Sequence, residues 1–247
     1  MGPKVYHFLF LKDNGNVIEE IKLMIEHICE VFRSPITGIT IVEESLIDWI
    51  IKFQPTIRYV WINDDVVNSV GTLDRIFENL NVTNHFRLKS IGNEPIMTDP
   101  IPFPSISIYN FYWFDLPSIL NGTNAIIRLY RSILTTIDIN TILKEWQLGY
   151  YLYNLEYLEI ETFTFLERYD FILEVLKNLD WTPNFGNEGR PTTVKVNDEH
   201  ICTVPREDSR FNIIRFDGMV GSMFFRMRND GGNRKMIFMF QVWRKQA

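Results

Sequence analysis

Hydrophobic residues in this chain recur with the spacing L-x-x-L-x-L. The clearest copy is Leu155, Leu158 and Ile160. Earlier copies are Val5/Phe8/Phe10, Ile36/Ile39/Ile41, Ile57/Val60/Ile62 and Phe103/Ile106/Ile108. Weaker copies around Phe86/Leu88 and Ile127/Leu129 fill the larger gaps. Because apolar and polar positions alternate in each copy, the pattern predicts a series of short, half-buried strands.

The segments between these strands have apolar residues at three- and four-residue spacing, which is typical of amphipathic helices. The predicted helices cover residues 17–32, 45–53, 72–80, 138–149 and 164–179. A strand followed by a helix therefore repeats every 20 to 31 residues, roughly the period of leucine-rich repeats. The sequence predicts an α/β fold: a leucine-rich-repeat-like αβ solenoid with a parallel sheet.

The pattern changes after residue 180. Strictly alternating runs replace the helices, and Asp217-Gly218 between two of these runs is typical of a hairpin turn. We therefore predict two regions, a solenoid over residues 1–180 and an antiparallel, β-rich C-terminal cap over residues 181–247. The cap is expected to pack on the solenoid, since the last repeat of a solenoid needs cover for its core.

Composition indicates the cellular compartment of the chain. The 247 residues carry a net charge of -6 and only two cysteines, Cys29 and Cys202. So few cysteines predict no disulfide framework and fit a cytoplasmic or nuclear protein. The apolar run at residues 5–11 is short and meets Lys12 and Asp13, so we interpret it as a strand and not a signal peptide. No run approaches the roughly 20 apolar residues of a membrane span.

Motifs for catalysis are missing from the sequence. It has no glycine-rich phosphate loop, no G-x-S-x-G, no H-E-x-x-H and no paired C-x-x-C. The four histidines have no ligand-type neighbours at metal spacing. We therefore expect no enzyme, no cofactor and no metal site.

Large polar and aromatic residues occupy the strand positions that alternate with the apolar ones. If Val60 and Ile62 point inward, their neighbours point to the opposite face of the sheet. The candidate partner-binding residues on that face are Tyr59, Trp61, Arg87, Lys89, Tyr109, Arg128, Tyr130, Tyr157 and Glu159. Tyrosine, tryptophan and arginine are enriched at binding hot spots. The alternative is that the C-terminal β region folds back over this face and buries the aromatic residues.

Two motifs in the second half of the chain resemble a known family. Asn140, Leu143, Lys144 and Trp146 form N-x-x-L-K-x-W, which leads into Leu155-Glu-Tyr-Leu158. Further on come Ile213-Ile-Arg215-Phe-Asp217-Gly218 and a strand that ends in Val242-Trp243. Over residues 126–243 the chain resembles the type 2 F-box associated region of nematode F-box proteins.

This resemblance implies the substrate-receptor half of an F-box protein. Members of the family usually begin with a helical F-box that binds a Skp1-type adaptor, and we find no such segment before Val5. We expect either part of a longer ubiquitin-ligase receptor or a paralogue without the F-box, with an adaptor bound only if an F-box lies upstream. The expected partner is a protein, such as a ubiquitination substrate.

RNA binding is the alternative function. Arg87, Lys89 and Arg128 could contact phosphates while the aromatic row stacks on bases. The negative net charge weighs against nucleic acid as the partner.

Overall fold

A computed structural model gives the fold of the protein and describes residues 17–91, 99–110, 115–183, 189–196, 201–203, 211–230 and 233–244. The strand predicted at Val5/Phe8/Phe10 lies outside these residues.

The described elements follow the alternation that the sequence predicts. The helices are α1 (Val17–Phe32), α2 (Ser45–Phe53), α3 (Val70–Asn79), α4 (Leu116–Leu120), α5 (Thr136–Leu148) and α6 (Arg168–Leu176). The strands of the first part are β1 (Gly38–Ile41), β2 (Thr56–Ile62), β3 (Asn81–Leu88), β4 (Ser105–Tyr109), β5 (Ile126–Ser132) and β6 (Tyr157–Phe163). Those of the C-terminal part are β7 (Trp181–Pro183), β8 (Thr193–Lys195), β9 (Ile201–Thr203), β10 (Phe211–Ile214), β11 (Met219–Asp230) and β12 (Asn233–Arg244).

One sheet of ten strands runs through the molecule in the order β1-β2-β3-β4-β5-β6-β12-β11-β10-β7. Strands β1 to β6 are parallel and lie in chain order. Strand β12 then pairs antiparallel with β6, and β11, β10 and β7 continue the antiparallel part. The predicted α/β class, with a parallel sheet followed by antiparallel strands, is confirmed. The boundary at residue 180 stays a prediction.

The hydrophobic core lies between the sheet and the helices. Val60, Ile106 and Leu158 are fully buried on aligned strands and belong to one continuous apolar cluster. Residues of α2, α3, α5 and α6 join the same cluster, so these helices cover one face of the sheet. The predicted inward register is confirmed.

Local signals explain where the helices begin and end. Thr135 and Asp138 form a reciprocal capping box at the start of α5, and Gly149 ends it in a left-handed conformation at φ 74°. Helix α6 is shorter than the predicted 164–179. The backbone N–H of Thr164 still donates to Arg234 on β12 at 3.3 Å, which holds the residues before α6 at the strand end. Beyond α6, Asn178 is left-handed at φ 59°.

The predicted hairpin at Asp217-Gly218 joins β10 to β11. Buried Arg215 binds the Asp217 carboxylate through Nε at 3.0 Å and Nη2 at 2.8 Å, which lowers the pKa of Asp217. The same guanidinium lies 5.1 Å from the Trp146 ring on α5. The hairpin is therefore fixed to the last long helix of the parallel region.

Within the described residues, no helix combines the length and the apolar character that crossing a membrane would require.

Candidate functional site

The sheet face opposite the helices carries the residues that the sequence assigns to binding. Pairing between strands aligns side chains in lateral rows. The middle row runs Thr40, Trp61, Arg87, Ser107, Arg128, Glu159, Met239 and Phe224. The structure thus brings Trp61, Arg87, Arg128 and Glu159 onto one face, as alternation predicts. Their role in partner binding stays a prediction.

The other candidates flank this row. Tyr59 and Tyr157 lie toward the N-terminal ends of the parallel strands, where Tyr157 pairs with Ile126. Toward the C-terminal ends, Tyr109 pairs with Tyr130, and Lys89 directly follows β3. All nine candidates are therefore strand or strand-end residues.

Two stacked tyrosines form the centre of the C-terminal end of the face. The rings of Tyr109 and Tyr130 lie 4.3 Å apart at an interplanar angle of 21°. The Arg87 guanidinium sits 4.8 Å from the Tyr109 ring, and its Nη2 donates to the Tyr109 hydroxyl at 3.1 Å. The Arg128 guanidinium lies 5.3 Å from the Tyr130 ring. Burial, followed by the negative charge of Glu159, raises the pKa of Tyr130.

An ion pair occupies the middle of the face. Arg128 Nε lies 3.3 Å from Glu159 Oε2, with side chains 16% and 12% exposed. The Tyr157 hydroxyl donates to the same carboxylate oxygen at 2.9 Å. Burial works against the charge on Arg128, but the facing Glu159 raises its pKa. Burial, and then Glu159, also raises the pKa of Tyr157. These three side chains are paired with one another, so we assign them a structural role on the face and not direct contact with a partner.

A small hairpin covers one part of the face. Strands β8 and β9 form a separate two-stranded sheet. Val194 and Val196 pack against an apolar cluster on the large sheet: Ile126, Tyr157, Phe224, Ile237 and Met239. The Ser105 hydroxyl donates to the Val196 carbonyl at 3.3 Å, and Gln241 Nε2 donates to the Pro191 carbonyl at 3.0 Å. The expectation that the C-terminal region folds back over the face thus holds for this part.

This hairpin divides the candidate residues into two groups. We call the part of the face beneath β8 and β9 the covered half; it contains Tyr157, which is only 2% exposed. We call the part around Trp61, Arg87, Lys89, Tyr109 and Tyr130 the open half. Tyr59 lies beside Trp61 and stacks on it at 6.2 Å, but it is only 5% exposed. Tyr59 and Tyr157 are on the predicted face but are too buried to make first contact with a partner.

A cleft of about 390 Å³ opens at the C-terminal end of the open half. Its lining residues are Asp64, Arg87, Lys89, Tyr109, Asn110, Tyr130, Arg131, Glu161 and Lys235. Five of them escaped the sequence-based assignment: Asp64, Asn110, Arg131, Glu161 and Lys235. Some of these residues could have been found from the sequence. Glu161 lies on the same side of β6 as Glu159 by alternation, and the other three, at the ends of parallel strands, are Asp64, Asn110 and Arg131. Lys235 becomes visible only once β12 is known to pair with β6.

A second concavity lies on the helix side of the sheet. This apolar groove, of about 730 Å³, runs between α6 and the strands β7 and β10. Its lining includes Ile172, Leu173, Trp181, Phe211 and Phe225. Leu173 is 50% exposed and Trp181 is 40% exposed. The groove is the main competitor of the open half for a protein partner.

The buried pair of His85 and Ser105, elsewhere on the face, has a structural role. His85 Nδ1 lies 2.7 Å from the Ser105 hydroxyl, and both side chains are buried. Since that hydroxyl also contacts the Val196 carbonyl, the pair fastens the covering hairpin to the sheet. In the part of the chain that the structure describes, no group of histidine, cysteine and acidic residues is placed to hold a metal ion.

Comparison with known proteins bears on the strands that carry this site. Residues 100–160 match the model of a protein family described as F-box associated. No curated protein and no solved structure matches the chain at a significant level. The matched segment includes Tyr109, Arg128, Tyr130, Tyr157 and Glu159, as well as the N-x-x-L-K-x-W and L-E-Y-L motifs. The resemblance of the Asp217-Gly218 hairpin lies outside it and stays a prediction. Over residues 100–160 the chain is similar to F-box associated proteins, which confirms the predicted family resemblance where it overlaps this match, at residues 126–160.

Proposed function

We propose that this chain is a protein-interaction module whose open half binds a partner protein. In this proposal it serves as the substrate-recognition part of an F-box-type ubiquitin ligase receptor, or of a paralogue without the F-box, in the cytoplasm or nucleus. A Skp1-type adaptor enters only if an F-box lies upstream in the full protein. The match of residues 100–160 to the F-box associated family supports the interaction role.

The observation that carries the proposal is the cluster of half-buried side chains on the open half, formed by Trp61, Arg87, Tyr109 and Tyr130. The three aromatic side chains have few rotatable bonds, and stacking and hydrogen bonding already order them together with Arg87. A preordered aromatic and arginine surface loses little conformational entropy on binding. The neighbouring hairpin of β8 and β9 bounds this surface on one side.

We further propose that the successive strand and helix units form a leucine-rich-repeat-like arrangement. The parallel strands β1 to β6 lie in chain order, with helices on one face, which supports this interpretation. In such an arrangement neighbouring strands present one long surface, as the open half does.

RNA is the less favoured partner. Binding of a polyphosphate backbone needs several available cations, whereas Lys89 and Lys235 of the cleft are already paired with Asp64 and Glu161. The chain also carries a net charge of -6.

The test is capture from nuclease-treated extract, identification of the bound protein, and measurement of its affinity with purified components. We expect Trp61→Ala and Tyr109→Ala each to weaken binding by roughly thirtyfold, the effect of losing about 2 kcal/mol at a hot spot. The exposed α5 substitution Lys144→Ala is the control and should leave affinity unchanged.

Two outcomes would contradict the proposal. Loss of the partner in Leu173→Ala but not in Trp61→Ala would place the contact in the apolar groove. Capture of nucleic acid that falls steeply with salt, with no protein bound after nuclease treatment, would favour the RNA alternative.

A further inference from the structure

The charges around the cleft are unevenly distributed. Four cations and two carboxylates line it, a net formal charge of +2 within a chain of net charge -6: Arg87, Lys89, Arg131 and Lys235 against Asp64 and Glu161. The acidic residues lie toward β2 and on β6, whereas the arginines lie between them on β3 and β5. The centre of the cleft is therefore cationic.

Both carboxylates already have lysine partners. Lys89 Nζ lies 3.6 Å from Asp64, which also accepts a hydrogen bond from the Ser90 hydroxyl at 3.0 Å. Lys235 Nζ lies 3.4 Å from Glu161, and both of these side chains are mostly buried. These pairs neutralise the flanks of the cleft and leave the arginines.

Neither arginine forms an ion pair with another residue of the described chain. Among the described residues, Arg87 hydrogen-bonds to the neutral Tyr109 hydroxyl alone, and Arg131 to the Asn110 amide oxygen alone, at 3.4 Å. Glu159, the carboxylate in the same lateral row as Arg87, is already paired with Arg128. A guanidinium in a partly enclosed site gains most from an anion, because its paired N–H groups match two acceptor oxygens.

Unpartnered buried polar atoms lie on Arg87, which lines the cleft, and on Ser107, its neighbour on β4. Arg87 Nε and the Ser107 hydroxyl oxygen are buried and make no hydrogen bond with any described residue. They belong to residues that face each other across β3 and β4, and Ser107 is 3% exposed. Since buried polar atoms are normally paired, a ligand that brings acceptor oxygens would complete this arrangement.

The stacked tyrosines hold Arg87 in position. Arg87 lies against the Tyr109 ring, and Tyr109 lies against Tyr130. Asn110 and Arg131, which directly follow these tyrosines, both have left-handed backbones, at φ 54° and 53°. Such conformations are uncommon for residues other than glycine, and here they occur together at one cleft.

From these observations we infer that the cleft binds the anionic group of one acidic side chain of the partner protein. Arg87 and Arg131 bind its oxygens, and Tyr109 and Tyr130 contact its carbon atoms. A carboxylate and a phosphoryl group share this chemistry. Because Lys89 and Lys235 are already paired with Asp64 and Glu161, the two arginines remain for the ligand, which suits a single anionic group better than a polyanion. The inference rests on the proposed function, because the anion is presented by a protein bound to the open half.

The direct test uses small blocked amino acids as probes of the intact chain. Chemical-shift titrations would compare N-acetyl-glutamate N-methylamide, its neutral glutamine analogue, and the blocked forms of phosphoserine and phosphotyrosine. We expect an anionic probe to shift the amides of β4 and β5 and the glutamine analogue to leave them unchanged. The ratio of phosphoryl to carboxylate affinity identifies which anion the site prefers.

Substitutions identify the binding groups. Arg87→Gln should weaken the anionic probe about tenfold or more, as loss of a charge-assisted hydrogen bond does. Arg131→Asn should also weaken it; asparagine tolerates the left-handed backbone, so this exposed variant is expected to fold even if Arg87→Gln melts early. Lys144→Gln removes the same charge from α5 and is the matched control.

The outcomes separate this inference from the proposed function. Equal shifts with the neutral probe, or unchanged anion affinity in both arginine variants, would overturn the anion site. If the purified partner is lost on Trp61→Ala but binds Arg87→Gln normally, the anion site is wrong while the interaction role stands. If the anionic probes bind as expected but no protein partner is lost by Trp61→Ala, the proposed function fails instead.

Discussion

The covered and open halves of the sheet face have similar residues but different environments. Tyr157 and Tyr130 lie on adjacent strands and face the same side. Tyr157 lies beneath Val194 and Val196 and is 2% exposed, whereas Tyr130 lines an open cleft. Residue type and side of the sheet are thus the same for the buried Tyr157 and the half-buried Tyr130. The covering hairpin decides which one a partner can reach.

The largest effect is expected on the opposite face, where both halves share one core. Leu158→Asp places an unpaired charge in the fully buried cluster. It should cost several kcal/mol against a total stability of about 5 to 15 kcal/mol, and so unfold the chain. Circular dichroism and thermal melting measure this. The exposed neighbour Glu156→Gln is the control, and a cooperatively melting Leu158→Asp protein would refute the register.

Truncating an aromatic residue in each half should separate stability from binding. Tyr157→Ala removes a buried ring and should lower the free energy of unfolding by about 3 to 5 kcal/mol. Trp61→Ala removes a half-buried ring stacked on Tyr59 and should cost about 1 kcal/mol. Urea unfolding gives the free energy of unfolding of each variant, and the two values can be compared if the slope of free energy against urea concentration is unchanged. Equal losses for the two variants would mean that the halves do not differ.

Detaching the hairpin of β8 and β9 should expose the covered half to solvent, as the open half already is. Val196→Asp puts a charge against the Tyr157 and Phe224 cluster, and we expect local opening at a cost of about 1 to 3 kcal/mol. Faster amide hydrogen exchange in β5, β6 and β11 would report it, with the global melting temperature little changed. Thr193→Asp, on the exposed side of β8, is the matched control. Unchanged exchange in Val196→Asp would show that the hairpin does not shield the cluster.

The smallest effect on stability is expected from a change of pH, because near neutrality the contribution of Tyr157 and Tyr130 does not change. The raised pKa values of Tyr157 and Tyr130 mean that the folded chain keeps phenol protons which the unfolded chain releases above about pH 10. Their contribution to stability is therefore fully present below about pH 10 and is lost as pH rises further. Melting temperatures between about pH 9 and 11, with phenolate absorbance, test this. Tyr157→Phe should reduce the dependence; an unchanged dependence in this variant would contradict the assignment.

Much of the parallel region follows from sequence alone. The apolar positions Val60, Ile106 and Leu158 gave the inward face, because strand alternation is local and independent of distant contacts. The C-terminal boundary of α5 at Gly149 was also readable, since capping depends on neighbouring residues, whereas α5 begins at Thr136, two residues before the predicted start. The outward candidates followed from the same alternation.

The covering hairpin could not be deduced in the same way. Strand β8 lies in an alternating run at residues 193–196, but β9 has only three residues, too few for a periodic signal, and neither strand indicates where the pair docks. Their position depends on contacts across long stretches of chain, such as Ser105 to Val196, 91 residues apart. The cleft residue Lys235 was missed for a related reason, because nothing local tells that β12 pairs with β6. Strand alternation therefore gave the side of the sheet for Tyr59 and Tyr157 but did not predict that both are buried.

The position of β12 has a consequence for biosynthesis. It is the last described strand in chain order, yet it lies between β6 and β11 and pairs with both. During translation, β6 therefore keeps an unpaired edge until the residues of β12 have left the ribosome. Exposed edges of this kind promote aggregation, so the nascent chain depends on prompt closure or on chaperones. A premature stop codon that removes β12 would leave the parallel and antiparallel parts of the sheet disconnected, and the product should be degraded or aggregate.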